Sequence, residues 1–108
     1  MAEHDKALLW AAVSDIDLQV YKASVYKLRW GTVGVGLDMG LPALEQARLT
    51  LTELVTWPPG VERSVADLDR SLAAYIGTLE ARDHTTASSL QTQLFAAVER
   101  LRDEIRKL

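Results

Sequence analysis

The segment from Glu3 to Trp30 constrains the fold most, because it predicts one long helix that is apolar around most of its circumference. It contains no glycine and no proline. At 100° per residue, its polar positions fall on one narrow stripe, which consists of Asp15, Gln19, Lys22, Tyr26 and Arg29. The remaining apolar arc covers about 240°, more than twice the width that a helix lying on one core needs. Such a helix must be covered on two sides.

The apolar arc has two flanks, and we expect them to have different partners. The flank expected to face the core of the chain consists of Leu9, Val13, Ile16, Val20 and Ala23. The second flank consists of Trp10, Leu18, Tyr21, Val25 and Leu28. Uncovered, it would form an apolar patch of a size that soluble monomers seldom expose. We therefore predict that it binds a second copy of the chain across a two-fold axis, or another protein. The alternative is that the glycine-rich segment that follows folds back over it.

Asp17 is the one acid within the apolar arc, where its neighbours on the helix are Val13, Trp10 and Leu28. A buried carboxylate without a partner is costly, so it either takes up a proton or pairs with a cation. The functional interpretation of Asp17 is an acid that contacts a ligand or handles a proton. The structural interpretation is an acid on the boundary between two packed faces, paired with a basic residue of another helix or another subunit.

The segment from Gly31 to Gly40 is interpreted as a frayed helix end followed by a tight connector. It contains four glycines, and each costs about 1 kcal/mol relative to alanine inside a helix. Continuing the first helix through it would also break the apolar register, although a helix that runs on with a kink remains the alternative. Pro42 suits the first turn of a second helix, where its missing N–H costs nothing. The expected inner face of this second helix is Leu44, Ala47, Leu51, Leu54 and Val55.

Two more helices complete the predicted fold. The run Trp57-Pro58-Pro59-Gly60 stops the second helix, and apolar spacing predicts a third helix over Val61–Ala81. Asp83 is a suitable N-cap for a fourth helix, whose apolar stripe continues to Leu108. Short connections favour antiparallel neighbours. The sequence therefore predicts an all-α, four-helix, up-down antiparallel bundle over residues 1–108, with a long first helix and a Gly-rich connector to a shorter second helix.

Composition excludes several classes of protein. The chain of 108 residues is 48% apolar and has a net charge of −3, values typical of a globular domain without the basic surface that nucleic acids attract. It contains no cysteine, which excludes disulfides and thiolate metal sites. No run approaches the roughly 18 apolar residues of a membrane span. The charged N-terminus is followed by no uninterrupted apolar segment, so no secretory signal peptide is predicted, and the compartment stays open.

The sequence offers no constellation for catalysis, cofactor binding or metal binding. The chain has two histidines, His4 and His84, and neither follows a glutamate by three residues as di-iron bundles require. His84 adjoins Asp83 and follows Glu80 by four residues, an arrangement that a helix-capping turn explains equally well. The glycines of Gly31–Gly40 lack the spacing and context of phosphate-binding loops. We therefore predict no catalytic residue, no cofactor and no metal.

Trp30 and Trp57 both lie at the ends of predicted helices. They are interpreted as hydrophobic caps over one pole of the bundle, or as exposed anchors for a partner, because tryptophan is enriched at binding hot spots. The run from Leu72 to Asp83 is similar to helical-bundle domains of bacteria, but this similarity carries no functional residue.

Three hypotheses about function remain at the level of sequence. The first is a non-catalytic interaction or assembly module that self-associates through helix one. The second is a bundle that senses a signal or binds a small ligand, within a larger sensor or transport system, near Asp17 and the tryptophans. An enzyme is the third, and the absence of a catalytic constellation disfavours it.

Overall fold

The computed structural model describes residues 6–27 and 35–108, except for the side chains at 25–27, 35–39 and 84. The four α-helices are α1 (Lys6–Lys27), α2 (Val35–Leu49), α3 (Glu62–Glu80) and α4 (His84–Arg106). A π-helix (Thr50–Leu54) directly follows α2, and a 3₁₀ turn (Pro59–Val61) precedes α3. There is no strand within these described ranges, and the predicted all-α class is confirmed.

The four helices pack against one another around one elongated core. Helix α1 packs against α2 and α4, and α3 packs against the same two helices. The molecule measures 51 × 20 × 18 Å along its principal axes. Its core is one continuous cluster to which all four helices contribute, with Ile16, Leu44, Leu72 and Leu94 wholly buried. Burial of apolar surface on this scale is the main force that holds a helical bundle together.

Only one flank of helix α1 packs into the core. The predicted inner flank (Leu9, Val13, Ile16, Val20 and Ala23) is buried, so this prediction is confirmed. The stripe that contains Asp15 and Gln19 is only partly covered. The circumference of α1 is therefore divided into a buried face and a solvent-facing one, and large apolar side chains lie on both.

The prediction of a connector over Gly31–Gly40 is wrong for residues 35–40, because α2 begins at Val35. Residues 31–34 lie outside the described part of the chain. Pro42 consequently lies inside α2 and not in its first turn. Packing against α1 accounts for part of this difference: Gly40 is buried, and a Cβ added there would lie 3.8 Å from the Cα of Ala23, at ordinary van der Waals distance, so α2 passes close to the backbone of α1 at this point. This contact compensates for low helix propensity, since tertiary packing routinely overrides it.

The end of the second helical segment also differs from the prediction. The stop at Trp57-Pro58-Pro59-Gly60 is confirmed, but the turn before it is a π-helix. Because a π-helix bonds residue i to i+5, it changes the direction of every following side chain. Leu54, which the 3.6-residue spacing places on the inner face, is therefore exposed, while Leu51 is buried. Trp57 packs against the core, and its indole Nε1–H donates to the carbonyl oxygen of Leu51 at 2.6 Å.

Helices α3 and α4 follow the sequence prediction closely. The predicted N-cap is confirmed, because the Asp83 carboxylate accepts a hydrogen bond from the backbone N–H of Thr86 at 3.1 Å. Buried Ser64 donates to Glu104, with its Oγ 2.6 Å and 2.7 Å from the two carboxylate oxygens, and so joins the start of α3 to the last turns of α4. Leu108 is the exception: it lies beyond the end of α4 and is exposed, so its predicted place on the buried stripe is wrong.

Gly77 provides a test of whether α3 is helical at this position. It lies in the helix interior, is exposed, and has open space where a Cβ would stand. We expect Gly77→Ala to raise the free energy of unfolding by about 1 kcal/mol, because alanine loses less backbone entropy in a helix. Urea unfolding followed by circular dichroism measures this. The matched control is Ala73→Gly at another exposed position of α3, which should lower stability by a similar amount. A loss of stability in both variants would contradict the described helix.

Candidate functional site

The solvent-facing side of α1 carries a regular row of uncharged residues. Its exposed members are Ala7, Ala11, Ser14, Leu18 and Tyr21, and we call this row the outward seam. Successive members are four, three, four and three residues apart, which is the a/d spacing of a helix that packs lengthwise against another helix. Leu9, Ile16 and Ala23 are buried on the opposite side of α1. The outward seam therefore points away from the core of its own chain.

Large apolar side chains are concentrated on this helix. Among the described residues, seven large hydrophobic side chains are exposed, and four of them lie on α1: Leu8, Trp10, Leu18 and Tyr21. Leu18 is 50% exposed, Tyr21 is 60% exposed and Trp10 is 37% exposed. A whole aromatic side chain has a surface of about 150–250 Å². At these exposed fractions the three side chains together leave roughly 300 Å² of surface in water, comparable to the largest apolar patch on a typical monomer.

Trp10 borders the outward seam on the side of α4. The guanidinium carbon of Arg106 lies 5.6 Å from the centre of the Trp10 ring, within the range of a cation–π interaction. Nearby, the Lys6 ammonium donates a hydrogen bond to the carbonyl oxygen of Arg106 at 2.9 Å. The end of α4 therefore holds one face of the indole, and the exposed third of Trp10 extends the apolar surface of the seam.

Asp17 lies on the same boundary between α1 and α4. Its carboxylate accepts a hydrogen bond from Arg102 at 2.8 Å, and Arg102 also contacts Glu99 at 3.1 Å. The bond to Asp17 raises the pKa of Arg102 above its ordinary value, so the guanidinium stays charged. Both side chains are partly exposed. Asp17 thus has a cationic partner from another helix of the same chain.

Polar contacts also hold the other edge of α1, next to α2. The Asp15 carboxylate accepts hydrogen bonds from Gln19 at 3.3 Å and from buried Thr50 at 3.2 Å. Thr50 is the first residue of the π-helix. Thr50 cannot be recognised from the sequence, because the π-helical geometry that orients it leaves no sequence signature. The outward seam is thus part of a helix that is fixed to its neighbours on both sides.

The structure places the remaining predicted site residues as follows. Val25 belongs to α1, but its side chain lies outside the described ones, and Leu28 and Trp30 lie outside the described residues altogether. Trp57 is partly buried against the core and bonded to Leu51. Of the five interface candidates, Trp10, Leu18 and Tyr21 are described, and all three are exposed on one side of α1.

Other surfaces of the described residues offer less for chemistry. A groove of about 270 Å³ between α3 and α4 is lined by Asp67, Arg70, Ser71, Ala74, Leu90 and Gln93. It is smaller than most ligand pockets, and Arg70 at its edge already pairs with Asp67. Within the described part of the chain, no three His, Asp or Glu side chains come together as a metal site would require.

Comparison with known proteins adds no assignment to this geometry. No protein-family model, no curated protein and no solved structure matches the chain. Within residues 6–27 and 35–108, none of the helices combines the length and apolar character needed to cross a membrane.

Proposed function

We propose that this chain is a non-catalytic assembly module that forms a homodimer through the outward seam of α1. The observation that carries the proposal is the row of uncharged residues at a/d spacing, with Leu18 and Tyr21 at least half exposed. The buried flank of α1 already packs against the core, so a second row on the opposite side is not needed for folding of the single chain. A partner helix does use such a row, since a/d side chains insert between four residues of the facing helix.

The absence of charge along the outward seam supports a dry contact. Its described members are alanine, serine, leucine and tyrosine, and the tyrosine hydroxyl is at the tip of its side chain, where it can stay in water. The two acids that flank it, Asp15 and Asp17, lie at its rims, where they accept hydrogen bonds from Thr50 and Arg102. Lys22 is exposed beside Tyr21 at the rim as well, so no member of the seam itself brings a charge into the contact. Desolvating an unpaired charge is the main electrostatic cost of forming an interface.

We propose that the bundle behind this face is a single domain over residues 1–108 with up-down antiparallel topology. Cross-helix contacts support this arrangement, because in each pair a residue in the first part of one helix meets a residue in the last part of a helix packed against it. The contacting pairs are Ala23 with Gly40, Ser64 with Glu104, Tyr75 with Gln91, and Lys6 with Arg106. In this arrangement α1 is flanked by α2 and α4, and its remaining side is available to a partner.

The test of self-association is the mass of the purified protein in solution. We expect size-exclusion chromatography with light scattering to give about twice the 12.0 kDa mass of one chain at micromolar concentrations. Dilution should shift the population towards the monomer, as mass action requires for a dimer of moderate affinity. A mass of one chain at every concentration up to about 100 μM would overturn the proposal, and the outward seam would then need a different protein as its partner.

A further inference from the structure

The outward seam is graded in size along α1. Its first half carries small side chains, with Ala11 and Ser14 both exposed. Its second half carries large ones, with Leu18 and Tyr21 exposed by at least half. The two halves are symmetric about Ile16, because Ser14 and Leu18 stand two residues from it and Ala11 and Tyr21 stand five residues from it. A surface that is small at one end and large at the other fits a reversed copy of itself.

From this gradient we infer that two copies of α1 pack antiparallel about a two-fold axis that crosses the outward seam at the height of residue 16 along the helix, an inference that rests on the proposed self-association. Ser14 of each copy then faces Leu18 of the other, and Ala11 faces Tyr21. Each layer of the contact contains one small and one large side chain. Because every layer has a similar volume, the two helices can stay at a constant separation along the contact.

A parallel arrangement would use the same surface poorly. It would place Leu18 against Leu18 and Tyr21 against Tyr21 at one end, and Ser14 against Ser14 and Ala11 against Ala11 at the other. The large pairs would hold the helices apart, so the small pairs would face each other across a gap. Side chains that line such a gap lose the van der Waals contacts that close packing provides.

The charges beside the outward seam are compatible with the antiparallel contact. In an antiparallel pair, the α4 side of one copy faces the α4 side of the other, which brings the two Asp17 residues towards the same region near the axis. Each Asp17 carboxylate carries its own Arg102 at 2.8 Å, so each carboxylate that approaches the axis brings a cation with it, although Arg102 is shared with Glu99. A guanidinium has enough donors to bond both its own carboxylate and the one across the axis.

Disulfide cross-linking tests the register and the direction of this contact. The chain has no cysteine, so single substitutions report on one position only. We would mix Ser14→Cys with Leu18→Cys, one of them carrying an affinity tag, and oxidise the mixture with diamide. The antiparallel contact predicts that the mixed disulfide exceeds each homodimeric disulfide at least 5-fold. A second mixture, Ala11→Cys with Tyr21→Cys, should give the same preference. All four positions are exposed within one chain, and circular dichroism verifies that each variant folds.

The possible outcomes separate this inference from the proposed function. Homodimeric disulfides in excess over the mixed product would show a parallel contact, and would overturn the antiparallel inference while self-association through α1 stands. A dimer by light scattering without cross-links at either pair would move the interface away from the outward seam and overturn both. A monomer by light scattering overturns both as well. Preference for the mixed product in both mixtures supports the antiparallel contact.

Discussion

Leu18→Glu is expected to convert the dimer into a monomer that retains its helical structure. The side chain belongs to the outward seam, two residues from the proposed axis, and is 50% exposed in the single chain, so the glutamate is solvated in the monomer. In the dimer the same carboxylate would enter a dry contact at a cost of several kcal/mol, and Lys22, four residues later at the rim of the seam, offsets only a small part of it. Two-fold symmetry applies this cost twice. We expect dimer affinity to fall by at least about 100-fold, which corresponds to roughly 3 kcal/mol.

The matched control for Leu18→Glu is Leu49→Glu. Leu49 lies near the end of α2 and is 39% exposed, so the control introduces the same charge at an exposed leucine away from α1. Light scattering of both variants at one protein concentration makes the comparison. The assignment of the interface to α1 would be contradicted if Leu49→Glu dissociated the dimer as strongly as Leu18→Glu. Unchanged dimerisation in Leu18→Glu would contradict it as well.

Local sequence signals predict the second half of the fold well. In α3 and α4 the apolar spacing and the Asp83 cap indicate the same helices, and both helices begin and end within two residues of the predicted bounds. In α2 the local signals conflict with the packing. Glycines and Pro42 argue against a helix before residue 42, while close contact with Ala23 favours one. Such a contact depends on where a distant segment of the chain lies, and helix propensity contains no information about it.

Some features of the candidate site can also be predicted from local sequence, and others depend on contacts between distant residues. The exposure of Trp10, Leu18 and Tyr21 follows from the excess apolar arc of α1, which periodicity reveals. The partner of Asp17 does not, because Arg102 is 85 residues away in the chain. The anchoring of Asp15 by Thr50 depends in addition on a π-helix, whose extra residue per turn changes the spacing from which faces are inferred.

The polar contacts on both edges of α1 give the outward seam a property that a lone amphipathic helix lacks. Arg102 from α4 holds one edge, and Thr50 holds the other. A helix fixed in this way loses little further conformational entropy when a partner packs against it, and pre-organisation of this kind strengthens association. The buried face and its polar edges thus determine how the exposed face is presented.

Among the described residues, Tyr75 is a buried ionisable group from which we expect a large effect of pH on stability. It is wholly buried in the core, and its hydroxyl lies 3.4 Å from Oε1 of Gln91. Burial raises the pKa of Tyr75 to about 12, an effect that a hydrogen bond with Ser24 partly opposes. The unfolded chain releases the phenolic proton near the ordinary pKa of about 10. Stability that depends on the neutral phenol is therefore fully present below pH 10 and lost as the pH rises towards 12.

The expected result is an alkaline loss of stability that Tyr75→Phe removes. Between pH 10 and pH 12 the unfolded state binds fewer protons at this position than the folded state, so the free energy of unfolding falls by about 1.4 kcal/mol per pH unit, or roughly 3 kcal/mol in all. Tyr75→Phe has no phenolic proton to release. Its free energy of unfolding should therefore fall by roughly 3 kcal/mol less than that of the unsubstituted protein between pH 10 and pH 12. Urea unfolding of both proteins at pH 8, 10, 11 and 12, at one protein concentration, measures the difference. Parallel declines in the two proteins would mean that another group controls alkaline unfolding, and that water reaches the Tyr75 hydroxyl in the folded chain.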